Sequence, residues 1–268
     1  MRLVKVVAVI GLLLGLTTTG LAQAATPSSR YVALLIQSTG GYSPIDYVFS
    51  RTPTVLYSDG TLIVPSRIQT AQYPGQFVVS TFMQKTEFSA VARILAAANK
   101  VNVTDPKFDW GSTGIVDVPD TVFVSQASPR APQVKVSVYA LGFDSDARPL
   151  EKLYARRAAS KFVSKVEAFS PEFMWTKSRP IVWKPTKWLY MAVESKTDEF
   201  TNTHKWFGSK PLQWTGTCQQ MTSAENVKFN ALLPKLNSAS RFSSDGRIWR
   251  LTVRPLFPHE TGCQSLIN

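Results

Sequence analysis

The chain has few of the residues that most often carry chemistry at neutral pH. Its 268 residues include only two histidines, His204 and His259, and two cysteines. It contains no G-x-S-x-G nucleophile elbow, no H-E-x-x-H helix and no cysteine–histidine spacing of a zinc site. We therefore expect no metal and no cofactor. An enzyme is the minority interpretation, and it stays open because a carboxylate pair or a lysine-assisted serine meets in space without a sequence signature.

Long apolar runs are also scarce, and the one that stands out lies at the N-terminus. Two basic residues precede the apolar run 6–16, which is too short to span a bilayer comfortably, and residues 22–24 form an Ala-Gln-Ala cleavage site. This pattern predicts a signal peptide over residues 1–24, cleaved near Ala24. The mature chain, residues 25–268, is then secreted or otherwise extracytoplasmic. It has no later apolar run long enough for a transmembrane helix, and no cysteine at the cleavage site for a lipid anchor.

The two cysteines, Cys218 and Cys263, are predicted to form a disulfide bond, because exported proteins fold in an oxidising compartment. The bond would close a loop of about 45 residues, which the chain-entropy estimate values at roughly 4 kcal/mol. A pair of buried free thiols is the alternative.

Alternating polar and apolar runs predict antiparallel hairpins, and three other segments have helical periodicity. The hairpins pair 54–57 with 61–64 and 121–125 with 134–140, and a tight Asp245-Gly246 turn precedes a strand over 247–254. The helices are 86–99, capped by Thr86; 143–170, capped by Ser145 or Asp146; and 222–237, capped by Thr222 or Ser223 and interrupted at Pro234. We predict one α+β domain, antiparallel sheets covered by about three helices. The order of elements also suggests two similar halves that meet near 143–175.

Each predicted helix has an apolar stripe that is expected to face the core. The stripes are Phe88, Val91, Ala92, Leu95 and Ala98 in the first helix, Leu150, Leu153, Tyr154, Ala158, Phe162, Val166 and Phe169 in the second, and Val227, Leu232, Leu233 and Leu236 in the third.

The chain is strongly basic, with 30 lysines and arginines against 18 acidic residues, a net charge of +12. Removing residues 1–24 deletes two basic residues and no acidic one, which leaves 28 minus 18, or +10. The clearest basic surface is predicted on the long helix, in two rows: Arg148, Lys152 and Arg156, and Arg157, Lys161 and Lys165. Such rows could hold an exported protein on an anionic envelope polymer or lipid surface. An ordinary solvated helix face is the alternative.

Three other segments suggest different functions. A pair among Asp105, Asp109, Asp117 and Asp120 would suit a cell-wall-active hydrolase, although aspartates beside glycine and proline more often make turns. The aromatic and basic residues of 173–193 would suit sugar binding, although such rings more often pack in a core. An exported location argues against nucleic acid. The proline-bounded loop 125–133 would suit a secreted inhibitor that presents it to a partner protein.

The mature chain also carries a set of short motifs. They are Arg51-Thr52-Pro53, Leu56-Tyr57-Ser58-Asp59-Gly60, Tyr73-Pro74-Gly75, Asp117-Val118-Pro119-Asp120-Thr121, Val138-Tyr139-Ala140-Leu141-Gly142, Cys218 and Leu251-Thr252-Val253-Arg254-Pro255-Leu256-Phe257-Pro258. Together they resemble a family of secreted or lipid-anchored actinobacterial proteins with no established activity. The resemblance implies export and a single copy of this architecture, and it brings no functional residues. The sequence therefore predicts a secreted binding or envelope-associated protein without catalytic activity, whose partner is an envelope polymer, a lipid surface or another secreted protein.

Overall fold

The computed structural model describes residues 30–41, 49, 51–66, 74–143, 148–174, 179–198, 201–214 and 217–265. Within these ranges, two antiparallel-rich sheets combine with four helices, so the predicted α+β class is confirmed. The predicted signal peptide and the caps Ser145 and Asp146 lie outside the described residues. No helix within the described ranges is long and apolar enough to cross a membrane.

The first sheet has seven strands, and every neighbouring pair is antiparallel. The strands are β1 (Val32–Thr39), β2 (Thr54–Tyr57), β3 (Thr61–Pro65), β4 (Thr81–Lys85), β5 (Asp120–Ser125), β6 (Val134–Tyr139) and β7 (Ile181–Val182). They lie in the order β6-β5-β1-β2-β3-β4-β7. The predicted β2–β3 and β5–β6 hairpins are both confirmed.

Three helices cover one face of this sheet. They are α1 (Phe88–Lys100), α2 (Leu150–Glu167) and α3 (Pro171–Met174). In α1 the buried residues are Ala90, Val91, Ile94 and Ala98, so the prediction that Phe88 faces the core is wrong. Thr86 does not cap this helix, because its hydroxyl donates to the carbonyl oxygen of Gly60.

The second sheet has five strands and is built from the C-terminal part of the chain. The strands are β8 (Trp188–Glu194), β9 (Asn202–Lys205), β10 (Gln219–Gln220), β11 (Ser240–Ser244) and β12 (Arg247–Pro255). Their order is β10-β8-β12-β11-β9, and the β9–β11 pair is parallel. The chain passes from the first sheet to the second at residues 183–187. Two similar halves that meet near 143–175 stay a prediction.

Helix α4 (Ser223–Leu232) packs on one face of the second sheet. Thr222, one of the two predicted caps, is the N-cap, and it forms a reciprocal capping box with Glu225. The helix then tightens into a 3₁₀ turn at Leu233–Lys235, which contains Pro234. The core side chain of α4 is Phe229, whereas Val227, predicted to be buried, is exposed. The Asp245-Gly246 turn between β11 and β12 has positive φ at both residues, as expected of this hairpin type.

The segment after β12 packs against both sheets. Phe257 packs against Val55 and Ile63, on the face of the first sheet that the helices leave open. Next to it in the sequence, Leu256 packs with Leu189 of the second sheet. Strands β2 and β3 are therefore covered on both faces, which explains why they are apolar along nearly their whole length.

A buried ion pair folds this segment back on itself. The guanidinium of Arg254 donates two hydrogen bonds to the carboxylate of Glu260, at 2.6 and 2.9 Å. Each side chain is only 3% exposed. The same carboxylate accepts the backbone N–H of Phe257 at 2.8 Å. The ion pair therefore stabilises the turn that places Phe257 against the first sheet.

The predicted disulfide bond is confirmed. Cys218 and Cys263 are bonded, with their Cα atoms 5.7 Å apart. The bond ties the segment before β10 to the end of the described chain, and it packs beside Leu189, Met191 and Leu256.

Replacing one partner of the Arg254–Glu260 pair should be costly. Arg254→Met leaves the Glu260 carboxylate buried without its cation, and we expect the free energy of unfolding to fall by about 3–5 kcal/mol. The double variant Arg254→Met/Glu260→Gln should be more stable than this single variant, because no unpaired charge remains while the introduced amide oxygen still accepts the Phe257 N–H. Urea unfolding monitored by tryptophan fluorescence measures both.

The matched control is Arg247→Met, which removes an arginine from an exposed ion pair with Glu194. This variant should lose less than about 1 kcal/mol. Equal losses for Arg254→Met and Arg247→Met would contradict the role assigned to the buried pair.

Candidate functional site

The solvent-facing side of α2 combines exposed cations with exposed apolar side chains. Arg157 and Lys161 are exposed, and on the same side of the helix Leu150 is 57% and Tyr154 is 65% exposed. Steps of three and four residues bring these positions into one stripe. We call Leu150, Tyr154, Arg157 and Lys161 the α2 outer face.

The two cations of the α2 outer face have no acidic partner among the described residues. One turn further along, Lys165 forms an ion pair with Glu172 of α3, which offsets its charge. Of the predicted row Arg157, Lys161 and Lys165, the first two residues therefore present free positive charge to solvent.

The second predicted row, Arg148, Lys152 and Arg156, does not form a basic surface. Arg156 is 1% exposed, because its guanidinium donates to the carbonyl oxygens of Tyr139 and Ala140 at 2.6 and 2.8 Å. These carbonyls lie at the end of β6, where the chain leaves the sheet. Arg156 is thus a buried contact between α2 and the sheet, and its assignment to an anion-binding surface is wrong.

The other two residues of that row are also engaged with the protein. Lys152 forms an ion pair with Asp109 at 3.2 Å and lies 5.2 Å from the ring centre of Phe108. Arg148 is exposed, but it precedes the helix, and its backbone forms a bridge with Ser112.

The outer face also differs from the apolar stripe that the sequence suggested. Leu150 and Tyr154 were both expected in the core, whereas the buried residues of α2 are Leu153, Arg156, Ala159, Phe162 and Val166. At 100° per residue, Leu150 and Tyr154 fall on the same arc as Arg157 and Lys161. A helical projection anchored on Phe162 and Val166 would have shown this.

Three of the four candidate aspartates lie in local turns, and the fourth, Asp120, is the first residue of β5. The carboxylate of Asp105 accepts the N–H of Lys107, and that of Asp109 accepts the N–H of Gly111. Asp117 has a positive φ of 61°. The hydrogen bond from the Gly111 N–H, and to a smaller extent the contact with Lys152, holds the pKa of Asp109 below its usual range. A general acid needs a raised pKa instead.

The two histidines lie in structural contacts. His259 Nδ1 is 2.8 Å from the hydroxyl oxygen of the buried Tyr57, and the guanidinium of Arg30 lies 3.8 Å from the centre of the Tyr57 ring. Burial raises the pKa of Tyr57 and lowers that of His259. His204, on β9, packs against Phe242, and its pKa is also lowered, first by burial and then by Lys235. Neither arrangement places an activated nucleophile in a cleft.

The aromatic segment 173–193 packs mostly in the core, as its alternation favoured. Trp183 contacts Phe257, with ring centres 4.9 Å apart, and Trp188 is 2% exposed against Phe229. Trp175 lies outside the described residues.

No group of three or more metal-ligating side chains occurs among the residues that the structure describes. Comparison of the chain with protein-family models, curated proteins and solved structures finds no match.

The neighbouring residues Arg156 and Arg157 test the orientation of α2, because the first is buried and the second is exposed. Arg156→Met should lower the free energy of unfolding by about 1–3 kcal/mol, because it leaves the carbonyls of Tyr139 and Ala140 without their donor. Arg157→Met should change it by no more than about 0.5 kcal/mol, because its side chain is exposed. Urea unfolding of both variants measures the difference, and equal effects would show that α2 is oriented differently.

Stability should also depend on the protonation of His259. Its pKa is lowered in the fold, so below about pH 6.5 the unfolded chain binds a proton that the folded chain resists. The free energy of unfolding should therefore fall as the pH drops from 7.5 to 5. His259→Gln should show a smaller fall, and His204, present in both proteins, cancels in the comparison. An identical pH dependence of the urea midpoint would contradict this assignment.

Proposed function

We propose that the protein is an extracytoplasmic, non-catalytic protein that attaches to an anionic lipid surface through the α2 outer face. The observation that carries the proposal is the placement of exposed Tyr154 and Leu150 beside two cations, Arg157 and Lys161, that have no acidic partner in the part of the chain that the structure describes. Interfacial helices bind in this way, with cations at the headgroups and apolar side chains at the acyl boundary.

The apolar half of the face favours lipid over a wall polymer. A polyanionic polymer would be bound by the cations alone, and exposed leucine would gain little from it. At a bilayer, by contrast, Tyr154 can bury its ring and keep its hydroxyl in water. The net charge of the chain, +12 in full and +10 without residues 1–24, would bring the protein toward any anionic surface.

The size of the face predicts reversible attachment. Each cation near an anionic membrane contributes on the order of 1 kcal/mol, and two partly inserted apolar side chains add roughly 1 kcal/mol each. A total of about 4 kcal/mol corresponds to a dissociation constant of about 1 mM for one protein molecule. Firm residence on a membrane would need several copies or a second contact.

Export is the other part of the proposal. It is supported by the signal peptide predicted over residues 1–24 and by the disulfide bond, which is typical of proteins that fold outside the cytoplasm. The resemblance to secreted actinobacterial proteins points the same way.

Sedimentation with lipid vesicles across a salt series tests the attachment. The mature protein should bind vesicles rich in phosphatidylglycerol at about 20 mM salt, bind phosphatidylcholine vesicles weakly, and dissociate as salt rises, because screening shortens the Debye length. Arg157→Gln/Lys161→Gln should weaken binding about 30-fold, the equivalent of two cations at about 1 kcal/mol each. Tyr154→Ser should weaken binding with little change in its salt dependence.

The matched control is Lys184→Gln/Lys196→Gln, which removes the same charge from exposed positions outside α2. An equal loss with this control would reduce the interaction to net charge alone and overturn the assigned face. Binding to isolated anionic wall polymer without binding to vesicles would show that the partner is the polymer and not lipid.

A further inference from the structure

The connection between β5 and β6 presents an arginine at an exposed tip. Within residues 126–133, Ala127 to Arg130 and the last two residues, Pro132 and Gln133, are exposed. No contact with the described residues engages the side chain of Arg130. The tip therefore offers one free guanidinium, flanked by Pro129 and Pro132.

A side chain from the base of the loop supports both sides of this arginine. The amide nitrogen of Gln126 donates to the carbonyl oxygen of Pro129 at 3.4 Å and to that of Ala131 at 3.0 Å. These are the carbonyls that immediately precede and follow Arg130. The backbone N–H of Gln126 donates to Ala33 on β1, so the support is attached to the first sheet.

Other contacts restrain the rest of the loop. The hydroxyl of Tyr31 donates to the carbonyl oxygen of Ala127 at 3.1 Å. The N–H of Ala131 donates to the carbonyl and hydroxyl oxygens of Ser128, which forms a turn over residues 128–131. The two prolines fix φ at their own positions. The Tyr31 contact, the Gln126 bonds and the two prolines lie outside that turn hydrogen bond, and by limiting the conformations of the free loop they reduce the entropy lost when a partner binds it.

We infer that this loop is an inhibitory site for a serine protease whose specificity pocket is acidic. Arginine is the side chain that such a pocket accepts, because a carboxylate at its base pairs with the guanidinium. The reacting bond would be the peptide bond between Arg130 and Ala131. The inference does not depend on lipid attachment, since no residue of the α2 outer face takes part in it.

Gln126 explains why the loop would inhibit rather than be consumed. In the first step the protease serine oxygen bonds to the carbonyl carbon of Arg130, the bond to the Ala131 nitrogen breaks, and that nitrogen leaves as an amine with the proton supplied by the protease histidine. Because Gln126 holds the carbonyls on both sides, the amine stays beside the ester. Its return attack re-forms the peptide bond, frees the serine and gives the proton back, before water replaces the amine.

One local change accompanies binding. A protease binds the residues before the reacting bond in an extended conformation, so the hydrogen bond from the Ala131 N–H to Ser128 has to break. We expect the two Gln126 bonds to persist in the opened loop, because neither of them uses the Ala131 N–H. Gln126 is thus a positioning residue, and Arg130 is the residue that enters the pocket.

Inhibition of trypsin by the mature, disulfide-bonded protein tests the inference. Titration should reach full inhibition at one protein per enzyme, and chymotrypsin should be unaffected. Arg130→Ala should weaken trypsin inhibition at least about 100-fold, and Arg130→Phe should transfer inhibition to chymotrypsin, whose pocket is apolar. Lys135→Ala, an exposed cation on the adjacent strand β6, should inhibit as the native protein does.

The role of Gln126 has a separate readout. Gln126→Leu should convert the inhibitor into a substrate, so that mass spectrometry detects rapid cleavage after Arg130, while the unfolding midpoint confirms that the domain is folded. The inference is overturned if the native protein leaves trypsin active, if trypsin cleaves it after Arg130 as fast as an ordinary peptide, or if Arg130→Ala inhibits equally well. Loss of vesicle binding would leave this result unchanged.

Discussion

The return of the chain after β12 depends on one buried ion pair, Arg254 with Glu260. Two opposite charges removed from water are stable only when nearly every donor and acceptor is used, and here the carboxylate takes both guanidinium bonds and the N–H of Phe257. That turn places Phe257 on the first sheet and Leu256 on the second, and it positions His259 against Tyr57. These few residues therefore pack against both sheets.

Helix α2 is oriented by a second buried arginine. Arg156 occupies a core position because the chain leaves β6 with two carbonyl oxygens directed at the helix, and a guanidinium donates to both. This contact fixes which side of α2 faces the sheet. Leu150 and Tyr154 are then left in solvent beside Arg157 and Lys161, and the α2 outer face is a direct consequence of the buried arginine.

The features that could be predicted from the sequence are those set by neighbouring residues. Several predicted features depend on local conformation, and all are found: the β2–β3 and β5–β6 hairpins, the cap at Thr222, the interruption of the helix at Pro234 and the Asp245-Gly246 turn. The disulfide bond could be predicted because the chain has two cysteines and because exported proteins fold in an oxidising compartment. The burial of Arg156 depends on a tertiary contact with Tyr139 and Ala140, and that of Arg254 depends on a chain reversal that brings back Glu260, six residues later. The exposure of Leu150 follows from the helical projection only once Phe162 and Val166 are placed in the core. Residue type alone predicts the reverse, because arginine is usually exposed and leucine usually buried.

The strand order also bears on how the folded chain behaves at high protein concentration. Sheet edges with unpaired backbone groups invite pairing between molecules. Here β7 and β10, which end the two sheets, are two residues long, and too short to template another strand. The opposite edges, β6 and β9, each carry an exposed lysine, Lys135 and Lys205. A strand of a second molecule that paired with either edge would lie against this charge. The described edges therefore oppose the self-association that leads to fibrils.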